Sequence, residues 1–190
     1  MQILVMGVSG VGKTLIGELL AERIGLPFLD ADAFHSAANI QKLTRGIPLT
    51  GADREPWLKA LHAALRAHEP TGAVLACSAL RERYRRTLLD GLTEPRVVFL
   101  AGDAALISAR LQSRQGHFMS PALLASQFET LEPPEGGRVL KLVGAPARGH
   151  CGSSGRMARL AGPGTGESCD RILLCVSPQS PTPPRKPQAR

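Results

Sequence analysis

The stretch Gly7-Val8-Ser9-Gly10-Val11-Gly12-Lys13-Thr14 fits the pattern G-x-x-x-x-G-K-[ST]. Before it runs Gln2-Ile3-Leu4-Val5-Met6, a short apolar run that reads as a buried strand. After it, apolar residues recur at 15/16, 19/20 and 24, the period of a helix. Strand, glycine loop and helix form the context a phosphate loop needs. Glycines without Cβ let backbone N–H groups approach phosphate closely. The helix N-terminus adds unpaired N–H groups and a favourable dipole. Gly7, Val8, Ser9, Gly10, Val11 and Gly12 thus read as the cradle of a nucleoside triphosphate. Lys13 brings charge to the β- and γ-phosphates, and Thr14 offers its hydroxyl to Mg²⁺.

Working outward, Leu26-Pro27-Phe28-Leu29 reads as a second strand ending in Asp30-Ala31-Asp32. Residues two apart in an extended chain point the same way, so Asp30 and Asp32 are expected to face one cleft. Two carboxylates beside a phosphate loop suit metal-water contacts and activation of an acceptor hydroxyl. A helix is expected over residues 34–43. Another opens at Asp53-Arg54-Glu55-Pro56-Trp57-Leu58, with Asp53 as its N-cap and Leu58, Leu61 and Leu65 on one face. Trp57 reads as packing. Further strands are expected at 73–77, 96–100 and 138–143. Between them lie an arginine-rich helix around Arg81, Arg83, Arg85 and Arg86, a helix capped by Asp103, and a short helix through Leu123, Leu124 and Phe128. Strands alternating with helices give an α/β fold with a parallel sheet. Arg110 and Arg114, four apart on one helix face just before Gly116, read as a lid closing on the transferring phosphoryl group.

Composition narrows the function classes. The 190 residues, 43% hydrophobic, suffice for one α/β domain. No run nears the roughly 20 apolar residues of a membrane span, and the start carries no charged-then-apolar leader, so the cytoplasm is the expected compartment. The net charge of +7 is unevenly placed. Residues 1–132 hold 14 Lys/Arg against 13 Asp/Glu, and residues 133–190 hold nine against three. The catalytic body is nearly neutral and the basic tail lacks aromatic residues to stack bases, which argues against a nucleic-acid partner. Cys77, Cys151, Cys169 and Cys175 include no C-x-x-C pair, so they read as free thiols rather than a zinc site.

Several segments in order carry a family resemblance: Met6 to Thr14, Asp30-Ala31-Asp32-Ala33-Phe34-His35, Gly46-Ile47-Pro48-Leu49, Asp53 to Leu58, Cys77-Ser78-Ala79-Leu80 with Tyr84-Arg85, Gly116-His117-Phe118, and Gln127-Phe128-Glu129-Thr130-Leu131-Glu132. Over roughly residues 2–143 the chain resembles gluconokinase. The resemblance implies a P-loop kinase fold similar to shikimate and nucleoside monophosphate kinases. It implies ATP- and Mg²⁺-dependent phosphorylation of D-gluconate at its 6-hydroxyl. It places Asp32 and His35 on the gluconate side and lets Arg54, Tyr84, Arg85 and His117 help hold the polyol or carboxylate. Lys13, Asp32, Arg110 and Arg114 are then the catalytic set, with Thr14 and Asp30 toward the metal. Family members are often dimers, so a homodimer is one expectation. Other readings are a kinase of another small polyol or ring acid, and a gluconokinase-like protein that binds nucleotide but turns over poorly.

The chain leaves the family pattern at about residue 144. Residues 133–190 hold nine Gly and nine Pro without helical periodicity. Residues 144–190 therefore read as a divergent, disordered tail appended to a domain over 1–143, of a composition expected from an alternative exon or shifted frame. The apolar run 171–176 reads as an unsupported strand. Lys13→Ala is expected to abolish phosphoryl transfer while circular dichroism and melting temperature stay close to those of the parent.

Overall fold

The computed structural model describes residues 1–112, 121–135, 139–143, 156–158 and 174–176. Five parallel strands form one sheet: β1 (Gln2–Met6), β2 (Phe28–Asp30), β3 (Ala73–Ala76), β4 (Arg96–Ala101) and β5 (Val139–Val143), in the order β2-β3-β1-β4-β5. β1 is central. It pairs with β3 on one side and β4 on the other, so all five of its residues are buried. That double burial explains an unbroken apolar run rather than an alternating one.

Alternation survives in which face each residue serves. Ile3 and Val5 join a cluster with Ile16 and Leu20 of α1 (Lys13–Ile24), Ile107 of α5 (Ala104–Gln112) and Leu124 of α6 (Pro121–Thr130). Leu4 and Met6 join the opposite cluster with Leu58, Leu61 and Leu65 of α3 (Gly51–Ala67) and Leu88 of α4 (Glu82–Leu89). Leu131 packs against both clusters. The sheet is thus covered on both faces, as an α/β fold requires. α1 ends at Gly25, whose φ of 68° suits a residue without Cβ.

Three local expectations change. The helix expected over 34–43 is a 3₁₀ turn at Ala31–Phe34 followed by α2 (Ala37–Thr44), because Ser36 is extended and its hydroxyl caps Asn39 N–H at 3.2 Å. α3 starts three residues earlier than expected. Thr50 is its N-cap and Asp53 is the third helical residue. Thr50 Oγ1 accepts from Asp53 N–H at 3.2 Å, and Asp53 Oδ2 accepts from Thr50 N–H at 2.8 Å, a reciprocal capping box. Finally, Leu174–Val176 (β7) does have a neighbour, pairing antiparallel with Arg156–Ala158 (β6). The remainder of the tail expected to be disordered lies outside the described residues.

Asp53 also accepts from Lys42 Nζ at 2.7 Å, tying α2 to α3. That bond, with those from Thr50, holds the Asp53 carboxyl well below its usual pKa. A carboxylate depressed in the folded state stabilises above the unfolded pKa of about 3.9 and loses that contribution as pH falls below it. Thr50→Ala is expected to lower unfolding free energy by about 1 kcal/mol in denaturant titrations. Asp53→Asn should flatten the acid limb of the stability profile below about pH 4.

Candidate active site

The phosphate loop leaves the carboxyl end of β1 and turns into α1 at Lys13. Its inner side has no room for a side chain at Gly7 or Gly10. Gly7 has a φ of 145°, and a Cβ there would stand 2.6 Å from the Leu100 carbonyl oxygen. Gly10 has a φ of 81°, and its Cβ would meet Leu111 of α5 at 2.8 Å. Val8 and Val11 are buried beneath the loop. The loop is thus wedged against β4 and α5, with Gly7 N–H donating to the Ser78 carbonyl at 3.4 Å and Val11 N–H to the Val8 carbonyl at 3.4 Å.

Lys13 Nζ donates to the Val8 carbonyl at 3.1 Å, folding the ammonium across the loop. Burial pushes its pKa down, against Asp32, the Cys77 sulfur and Asp30, which favour the charged form. Thr14 Oγ1 donates to Asp30 Oδ2 at 3.4 Å. A hydroxyl and a carboxylate are hard oxygen donors. Among the described residues there is no group of three or more His, Cys, Asp or Glu able to hold a metal ion. This sparse pair fits Mg²⁺, which keeps waters and phosphate oxygens as most of its ligands.

The carboxylates are not arranged as a continuous extended pair. β2 stops at Asp30, whose Oδ1 accepts from Asp32 N–H at 3.0 Å and so caps the 3₁₀ turn. Asp30 thus caps the turn with one carboxylate oxygen while the other meets the Thr14 hydroxyl. Asp32 sits exposed in the turn and is the largest carboxylate influence on both Lys13 and His35.

The turn carries His35 onto Trp57 of α3. The rings stack with centroids 4.4 Å apart and planes at 14°, and Trp57 Nε1 donates to the Ala31 carbonyl at 2.8 Å. His35 Nδ1 is buried with no hydrogen-bond partner. Burial lowers the pKa of this imidazole, with Asp32 raising it and Arg54 lowering it further, so the ring is neutral at pH 7. Arg54, one turn before Trp57, donates to the Leu49 carbonyl, and its guanidinium carbon lies 5.7 Å from the Tyr84 ring centroid. Arg83 donates to Tyr84 Oη at 3.1 Å and lies 5.0 Å from the same ring. Burial raises the Tyr84 pKa, but the Arg83 hydrogen bond and the charges of Arg54, Arg83 and Arg81 outweigh it. The net direction is down.

Asp32, His35, Arg54 and Tyr84 thus form one polar wall with Trp57 as its floor. Arg85 stands apart. It is buried, and its Nη1 donates to the carbonyls of Ala79 at 3.0 Å and Leu80 at 3.1 Å. It braces the turn where Ala79 takes a φ of 40°. The backbone of Arg110 lies in α5. Its side chain, and all of Arg114 and His117, fall outside the described residues. Sequence reasoning did not single out Arg83, whose signal was only a charge run, or Gln127 of α6. Gln127 Oε1 accepts from Ser9 N–H at 2.7 Å, and its Nε2 donates to Ser9 Oγ at 3.3 Å. Cys77 is a packed thiol, pushed up to about 12 chiefly by burial.

Known proteins are similar to this chain in sequence and fold. A shikimate kinase family model matches residues 9–130. A probable gluconokinase of Xenopus tropicalis is 44% identical over 151 residues, covering 70% of this chain and 80% of the relative. The thermosensitive gluconokinase of Escherichia coli K12 is 47% identical over 135 residues, covering 70% and 72%. A crystal structure of a gluconokinase from Sinorhizobium meliloti 1021 superposes with a TM-score of 0.68 at 43% identity, covering 75% of this chain and 81% of that one. With a phosphate loop, an adjacent carboxylate turn and these relatives in agreement, the chain belongs to the gluconokinase family.

Proposed function

We propose that this chain transfers the γ-phosphoryl group of ATP to the 6-hydroxyl of D-gluconate, releasing 6-phospho-D-gluconate and ADP. The observation that carries the reading is the meeting of two halves at one end of the sheet. A phosphate loop lies beside the exposed carboxylate of Asp32, the largest opposing charge felt by Lys13. Phosphoryl transfer needs little covalent chemistry from the protein and depends on positioning and charge.

In the proposed roles, the loop from Gly7 to Thr14 cradles the triphosphate, through those of its N–H groups not already bonded within the protein and through the α1 dipole. Lys13 exchanges the Val8 carbonyl for phosphate oxygens. Thr14, with Asp30 through water, would hold Mg²⁺, which supplies charge neutralisation when bound. Asp32 orients the acceptor hydroxyl and takes its proton as the bond to phosphorus forms. The neutral His35 hydrogen-bonds the polyol. Arg54, beside Tyr84, receives the carboxylate, a geometry suited to a guanidinium. Arg85 supports this wall through the turn it braces, and Arg110, Arg114 and His117 are assigned to the lid. The cytoplasm, where ATP and Mg²⁺ are available, is the proposed compartment. A homodimer is the proposed assembly, which light scattering would test.

A coupled ADP-release assay with ATP, Mg²⁺ and a panel of sugar acids is expected to rank D-gluconate first. Shikimate or another ring acid outperforming it would overturn the acceptor assignment. Asp32→Asn is expected to lower kcat on the order of 10²–10⁴-fold with KM for gluconate little changed. An unchanged kcat would remove its proposed role.

A further inference from the structure

Gln127 is the described side chain that grips the phosphate loop from outside β1 and α1. It meets Ser9 twice, accepting from the backbone N–H at 2.7 Å and donating to the hydroxyl at 3.3 Å. Ser9 sits between Gly7 and Gly10, in a stretch where Gly7, Gly10 and Gly12 all have positive φ, at 145°, 81° and 105°. Glycine has weak intrinsic preference for any one of these conformations. The loop therefore takes its shape from its surroundings, and Gln127 supplies one polar part of them, beside the Ser78 carbonyl that accepts from Gly7 N–H at 3.4 Å.

The segment that carries the amide is held in place without help from the loop. Leu124 of α6 is 4% exposed in the core, and Phe128 and Leu131 pack against it. Past the helix, Glu132 N–H donates to the Leu80 carbonyl at 2.9 Å, and Glu132 Oε2 accepts from Glu82 N–H at the start of α4, at 2.6 Å. One segment thus runs from the phosphate loop to the helix that carries Tyr84. Its far end is anchored by interactions that the loss of the Gln127 amide would leave intact.

We infer that Gln127 is a positioning residue for phosphoryl transfer, acting through Ser9 to hold the phosphate loop in its nucleotide-receiving shape. A loop fixed beforehand does not have to be ordered when the triphosphate arrives, so the effect falls on nucleotide affinity. The inference rests on the kinase reading but not on the identity of the acceptor.

The test measures MgATP and MgADP binding by calorimetry without acceptor, then steady-state kinetics with gluconate. It compares the wild type with Gln127→Ala, Gln127→Met, Ser9→Ala and the Ser9→Ala/Gln127→Ala double variant. Losing two hydrogen bonds is expected to weaken MgATP binding about tenfold in both Gln127 variants. KM for ATP should rise in parallel while KM for gluconate stays within about twofold. Ser9→Ala should show a smaller loss, and the double variant should bind no more weakly than Gln127→Ala alone. A lowered melting temperature with unchanged MgATP affinity would reduce Gln127 to a structural contact and overturn the inference. So would parallel rises in both KM values, or failure of both the Ala and the Met variants to fold. A wild type that binds MgATP but ignores gluconate would overturn the acceptor reading alone.

Discussion

The lack of space beneath the phosphate loop constrains the rest of the structure. The loop lies so close to the end of β4 and to α5 that side chains at Gly7 and Gly10 would collide with the Leu100 carbonyl and with Leu111. Contact on that side leaves the outer side as the face where backbone donors gather. The sheet order answers the same need. β1 must be central, flanked by β3 and β4, for the loop to sit over the crevice at the carboxyl ends of the strands, where ligands of such sheets bind. The polar wall of Asp32, His35, Arg54 and Tyr84 is then delivered by the 3₁₀ turn after β2 and by α3 and α4, from the neighbouring side of that crevice.

The two sides use charge differently. At the phosphate loop, burial pushes the Lys13 pKa down while Asp32 and Asp30 favour its charged form. On the acceptor side, Arg54, Arg81 and Arg83 surround one phenol and pull its pKa down. Neutral His35, stacked flat on Trp57, adds a polar edge without adding to the field.

Much of this was legible in the sequence, for identifiable reasons. The loop announced itself because its chemistry fixes residue types at fixed spacing, and the strands because a doubly covered sheet demands apolar runs. Tertiary contact set the features that escaped. Nothing local tells that Arg85 turns inward to the Ala79 and Leu80 carbonyls while Arg83, two residues earlier, reaches Tyr84. Nor does spacing tell that Gln127 meets Ser9 across 118 residues. The start of α3 was readable and misread, since Thr50-Gly51-Ala52-Asp53 carries the capping-box spacing.

The central position of β1 has a consequence for synthesis on the ribosome. Its partners β3 and β4 lie about 70 and 95 residues later in the chain. At typical elongation rates of about 5–20 residues per second, the strand waits roughly 5–20 s for the second of them. During that time a largely apolar segment has no sheet to join, and non-local pairing of this kind is slow to form. A nascent chain built this way favours company for its first strand, from α1 packed over it or from a holding chaperone, until the region through β4 has emerged.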